Sequence, residues 1–169
     1  MSRPGAGVGT VPELLAVVRR QAVDTADLYA ELADAFAVSN NPDTASAFHD
    51  LAEGGRSHAA GLPAPTADPP RLPAWGDDYP EIADADAVHY LMPPWHAFDL
   101  AQRHETRVLA LIEAEAAGAP DPDLRAVAAD LARRQRDRLA AILARRDATP
   151  KPPPGWWDDP DGPNWDSEF

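Results

Sequence analysis

Two short turns and one long connection constrain this chain most. Ser39-Asn40-Asn41-Pro42 and the stretch Ala117 to Asp123 each interrupt an amphipathic pattern for only a few residues. The proline-rich segment 61–93 separates the two patterned halves. A short turn leaves its two helices antiparallel and adjacent, whereas a long crossover lets the helices on either side run parallel. The order is hairpin, crossover, hairpin, which predicts an all-α four-helix bundle over residues 10–149, with the crossover at 61–93. Residues 1–9 are Gly-rich and read as a flexible N-terminus. Residues 150–169 read as an extended Pro/Trp-rich acidic tail, and Pro152-Pro153-Pro154 favours polyproline II geometry there.

The helices follow from their punctuation. Thr10 and Glu13 have capping-box spacing and Pro12 suits a first turn, so helix 1 starts at Thr10 and runs to about Val38. Its apolar face reads Val11, Leu15, Val18, Ala22, Tyr29, Leu32 and Phe36, with Thr25 the one polar member. Asn41 and Pro42 open helix 2, which runs to about Ala60 before Gly61 and Pro63. Gly54-Gly55 weakens it by about 2 kcal/mol relative to two alanines, and close approach of another helix explains such a pair. A short helix at Ala83–Leu91 is expected within the crossover. Helix 3 begins near Pro94-Trp95 with Phe98, Ala101, Glu105, Val108, Ile112 and Ala116 inward. Helix 4 presents Leu124, Val127, Ala128, Leu131, Gln135, Arg138 and Ile142, and ends before Pro150.

Composition removes several function classes. The chain has no Cys, which excludes disulfides, thiolate metal sites and cysteine nucleophiles. With 28 acidic against 15 basic residues its formal net charge is −13, which argues against nucleic acid and anionic membranes as partners. No apolar run is long enough to span a bilayer and no secretory leader is evident, so a cytoplasmic location is expected.

The chemistry-bearing stretch is Phe48 to Leu62. Phe48, Leu51, Ala52, Gly55, His58, Ala59 and Leu62 recur at steps of three and four, which puts His58 on an apolar helical face. Tyr29, the segment Phe48-x-x-Leu51-Ala52-Glu53-x-x-Arg56-x-His58-Ala59, and Glu105 early in helix 3 together resemble the ferritin-like superfamily, closest to the rubrerythrin type. The resemblance covers roughly residues 10–62 and 94–146. It implies a di-iron centre built from one Glu each on helices 1 and 3 and a Glu-x-x-His on helices 2 and 4. Here those positions read Ala22, then Gly55 and His58, then Glu105 with Gln102 one turn earlier, then Gln135 and Arg138. Only His58 and Glu105 retain metal-binding chemistry, and Arg138 adds a permanent cation. The expectation is a degenerate centre without cofactor, lined by Ala22, Tyr29, Gly55, His58, Gln102, Glu105, Gln135 and Arg138. A buried Glu105–Arg138 ion pair is expected there, with Gln135, Gln102 and His58 supplying further hydrogen bonds. His49, His89, His96 and His104 read as surface residues.

Three functions compete. The favoured one is a non-catalytic bundle acting by protein association, with Trp156, Trp157 and Trp165 of the tail as docking anchors and a homo-oligomer possible. The others are an iron-dependent oxidoreductase or peroxidase with an unusual site, and a small-molecule binding bundle with a pocket opened by Gly55 and Ala22.

Overall fold

A computed structural model describes residues 8–70 and 88–155. They form four helices, α1 (Val11–Val38), α2 (Pro42–Gly61), α3 (Pro94–Gly118) and α4 (Pro122–Ala148), with no strand among the described residues. Side chains cap the starts of α1, α2 and α4, whereas α3 begins after Pro93 without a side-chain cap. Thr10 Oγ1 accepts from the Glu13 amide, Asn41 Oδ1 from the Thr44 amide, and Asp121 Oδ1 from the Asp123 amide, so side chains satisfy amides that the first turns leave free. The Glu13 carboxylate accepts from the Gly9 amide at 3.0 Å, one residue earlier than a capping box requires. Asn40 takes the left-handed conformation, φ 58°, in the turn between α1 and α2.

Cross-links between elements settle the topology. α1 and α2 form one antiparallel hairpin, α3 and α4 the other. Val8 donates to the Glu115 carboxylate at 3.2 Å, while Thr25 meets His104 at 3.0 Å; rising numbers on α1 meet falling numbers on α3. Arg134 reaches the Gly61 carbonyl and Arg145 pairs with Asp50, so α4 is antiparallel to α2 as well. Parallel α2 and α3 follow. The crossover returns to the start of α2, where the Asn41 amide donates to the carbonyls of Tyr90 and Met92 and the Thr44 hydroxyl donates to Met92. A chain leaving the end of α2 and re-entering beside its start has traversed the bundle's length. Residues 88–91 of the expected short helix are coil and turn, not helix: their polar groups bond to the α2 cap and to each other. The remainder of that segment lies outside the described residues.

The core has two apolar clusters. One gathers Leu14, Val17, Val18, Leu62, Val108, Ile112, Leu124 and Leu131. The other gathers Tyr29, Phe36, Phe48, Leu51, Met92, Phe98, Leu100 and Ile142, with Phe36 and Phe48 stacked at 5.5 Å. The buried face of α1 differs from the expected stripe. Leu14, Val17, Gln21, Ala26 and Ala33 are buried, while Val11, Leu15, Ala22 and Leu32 are only partly covered. α2 packs along α1, and α3 and α4 also reach it, so its buried arc is wider than one stripe and rotated toward Gln21.

The glycine pair has two different explanations. A Cβ on Gly55 would lie 2.9 Å from the Ala26 Cβ and 3.3 Å from its Cα, whereas a Cβ on Gly54 meets nothing closer than Arg138 Nη1 at 3.6 Å. Gly55 therefore lets α1 approach α2; Gly54 has no steric need to be glycine. Gly55→Ala should lower stability by about 1–3 kcal/mol through overpacking, despite the gain of about 1 kcal/mol in helix propensity. Gly54→Ala should gain up to that propensity difference. Chemical denaturation of the two variants checks the opposite signs.

Candidate functional site

Between the two apolar clusters lies a transverse polar layer. Each helix changes from one cluster to the other at this level: α1 through Gln21 and Thr25, α2 through Gly55 and His58, α3 through His104 and Glu105, α4 through Gln135 and Arg138. Gln21, Thr25, His104, Glu105 and Gln135 are all buried.

Glu105 is the centre of the layer. Arg138 Nη2 sits 2.8 Å from Glu105 Oε1, and Arg138 Nε donates to the same oxygen at 2.9 Å. Gln135 Nε2 donates to the other oxygen, Oε2, at 2.7 Å and lies 3.2 Å from the Glu105 carbonyl. The side chains of Arg138 and Glu105 are 9% and 5% exposed. At that burial, attraction offsets desolvation only if the remaining lone pairs are satisfied, and Gln135 satisfies them. The antiparallel α3–α4 hairpin brings i and i+3 of one α4 face, Gln135 and Arg138, onto one carboxylate of α3.

On the α1 side the layer is neutral. Gln21 Nε2 donates to Thr25 Oγ1 at 3.4 Å and lies 3.4 Å from His104 Nε2, and Thr25 Oγ1 lies 3.0 Å from the same nitrogen. The Gln21 Nε2 group can only donate, so a hydrogen bond from it to His104 Nε2 belongs to the neutral ring carrying its proton on Nδ1. Burial is the main cause holding the His104 pKa below the usual histidine value; Glu105 opposes and Arg107 and Arg138 reinforce. His104 is thus a core residue and not the surface residue expected from sequence. It lies one position off the α3 stripe, on the side that α1 covers. The pKa of His58 is also lowered, first by burial and then by Arg138, against the opposing Glu105 and a side-chain hydrogen bond with Gln135.

The remaining expected residues divide. Tyr29 is buried against Phe48, and its hydroxyl has no hydrogen-bond partner among the described residues. Burial and then the Glu105 charge push its pKa well up, so it stays protonated. Gly55 packs on Ala26 and borders the Arg138 guanidinium. Ala22 lines the layer's inner void together with Val18 and Val108. Gln102 does not join Glu105: its Oε1 accepts from Arg146 Nη1 at 2.6 Å, because one turn earlier on α3 faces the end of α4. His49 is exposed, while His89 and His96 are half-buried near the start of α3. Trp156, Trp157 and Trp165 lie outside the described residues. Gln21 and Thr25 are not in the expected lining, although Thr25 is the one polar member of the inward face read for helix 1; a polar residue on that face, with Gln21 four residues before it, is the local signal for such a pair.

The donor set does not fit a dinuclear metal centre. Such a centre draws on four acids and two histidines. Here Glu105 has both oxygens committed to Gln135 and Arg138, and Gly55 has no room for an acid beside Ala26. The void at the layer's centre is about 10 Å³, the size of one water at most. Among the described residues no group of three or more His, Asp or Glu is placed to hold a metal ion.

The chain is similar to a solved structure. An uncharacterized conserved protein from Magnetospirillum magnetotacticum MS-1 superposes with a TM-score of 0.65 at 29% identity, over 85% of this chain and 98% of that one. No protein-family model and no curated protein matches the chain. No helix among the described residues is long and apolar enough to cross a membrane.

Removing one member of the pair exposes the other. Arg138→Ala should cost about 3–5 kcal/mol, and the double replacement Glu105→Leu/Arg138→Met should recover most of it; urea unfolding of the single and double variants measures both. The histidines set a pH dependence. With folded pKa values below the unfolded value of about 6.5, neutral His104 and His58 contribute stability that is complete above that value. It falls as pH drops from there through their folded pKa values. The melting temperature should decline between about pH 7 and pH 5, less steeply in His104→Gln.

Proposed function

We propose that this chain is a rubrerythrin-like, ferritin-like bundle whose redox centre has been replaced by the Glu105–Arg138–Gln135 cluster, and that it works by association instead of turnover. The observation supporting this reading is the guanidinium of Arg138, hydrogen-bonded to Glu105 at the level where the resemblance puts a metal pair. A permanent cation with its carboxylate saturated leaves neither the charge nor the ligands for a second cation. The four-helix architecture and the parallel α2 and α3 agree with the resemblance. The associating segment in this reading is the C-terminal stretch with Trp156, Trp157 and Trp165 among acids, a composition suited to docking in an apolar groove with a basic rim.

Two measurements test the two halves. Protein produced with added iron and manganese should carry well below one metal per chain by elemental analysis; about one or more per chain overturns the loss of the centre. Replacing the three tryptophans by alanine should leave the thermal melt of the bundle unchanged and abolish recovery of the native host's partner. Retention of every partner by that variant removes the docking role.

A further inference from the structure

The layer has a second face. A cavity of about 420 Å³ lies between α2 and α4, and His58 and Arg138 line both it and the small void inside the bundle. These two side chains are therefore a wall, with the Glu105 cluster behind it. On α2, Gly54, Ser57, His58 and Gly61 border the cavity at steps of three and four, one continuous helical stripe. Leu51, Leu62, Phe98 and Ile142 supply an apolar lining.

The cations around the cavity are not equivalent. Arg145 is paired with Asp50 and stacks over Phe98 at 5.3 Å. Arg134 is held by Asp130 at 2.8 Å and by the Gly61 carbonyl at 3.2 Å. Arg138 uses Nε and Nη2 on Glu105. Its Nη1 has no acceptor among the described residues, and it faces Gly54, whose Cβ would sit at an ordinary 3.6 Å. A guanidinium that is nine-tenths buried thus keeps one N–H edge toward the cavity. Gly54 lacks any steric reason to be glycine, and as a glycine it leaves that edge uncovered.

We propose that the α2–α4 cavity binds a small amphipathic monocarboxylate, a medium-chain fatty acid or aryl-alkanoate, with its head on Arg138 Nη1 and its tail on the lining around Phe98 and Ile142. Carboxylate is the match for a fixed N–H edge of arginine. The volume is that of a small-molecule pocket, mostly apolar with few converging polar groups. Ser57 and His58 line the same cavity and bring hydrogen-bonding groups for the second carboxylate oxygen. Asp50 and Asp137 on the rim disfavour di- and tricarboxylates, as does a net charge of −13. This inference does not depend on the C-terminal docking role or on the loss of metal chemistry.

The test uses the full chain and octanoate, followed by calorimetry and by the amide resonances of Gly54, Ser57 and Ala141. Saturable binding is expected, at least about tenfold tighter than octan-1-ol and octylammonium. Gly54→Leu, which covers the Arg138 edge from α2, should abolish it. Ala141→Phe fills the cavity from α4 and should do the same, which decides the matter if the first variant folds poorly. No saturation up to about 10 mM, equal binding of the alcohol, or wild-type binding by both folded variants overturns the proposal.

Discussion

The carboxylate of Glu105 is the constraint on which the rest of the molecule depends. An ionised acid in the middle of a four-helix core is tolerated only with its charge compensated and its lone pairs occupied. Arg138 provides the first and, with Gln135, the second. Those partners come from adjacent turns of α4, so the α3–α4 hairpin has one register in which Glu105 is satisfied. A slip by one turn would leave a carboxylate and a guanidinium buried without partners. The pair specifies the register more than it stabilises the hairpin, since apolar residues of similar volume often replace a buried ion pair at little cost.

The guanidinium also dictates what surrounds it. Arg138 extends toward α2, where Gly54 and Gly55 present backbone in place of side chains. Gly55 admits α1 through Ala26 and Gly54 leaves the outer edge of the guanidinium open, so two consecutive glycines answer to two different neighbours. On the opposite side, Gln21, Thr25 and His104 close the layer with neutral groups. The result is a polar disc between two apolar clusters. One side of the disc is sealed by α1 and α3; the other borders the α2–α4 cavity. A layer with that asymmetry suits recognition at one face and rigidity at the other.

Much of this architecture is written in the chain's punctuation. Thr10, Asn41 and the two short turns identify four helices, and the length of segment 61–93 indicates parallel α2 and α3. The stripes of α2, α3 and α4 mark Phe48, Leu51, Glu105, Gln135 and Ile142 as inward. These features are local or periodic, and a periodic pattern maps onto one face without reference to anything else. The side α1 turns inward was not readable in this way. Its apolar residues cover more than one stripe, so the choice between Leu15 and Leu14, or Ala22 and Gln21, is made by which neighbours lie alongside.

The pairing inside the layer likewise needed three dimensions. Nothing local distinguishes His104, buried on Thr25, from His49, exposed on α2, because burial is conferred by a helix distant in sequence. Gln102 and Gln135 have the same chemistry and both lie near a helical stripe, yet one meets Arg146 and the other Glu105; their height along the bundle separates them. The chain's own pattern specified which elements form and that a carboxylate and a guanidinium face inward. Packing decided which groups meet, since an ion pair and a cavity wall depend on distances of a few ångströms between helices that no sequence period encodes.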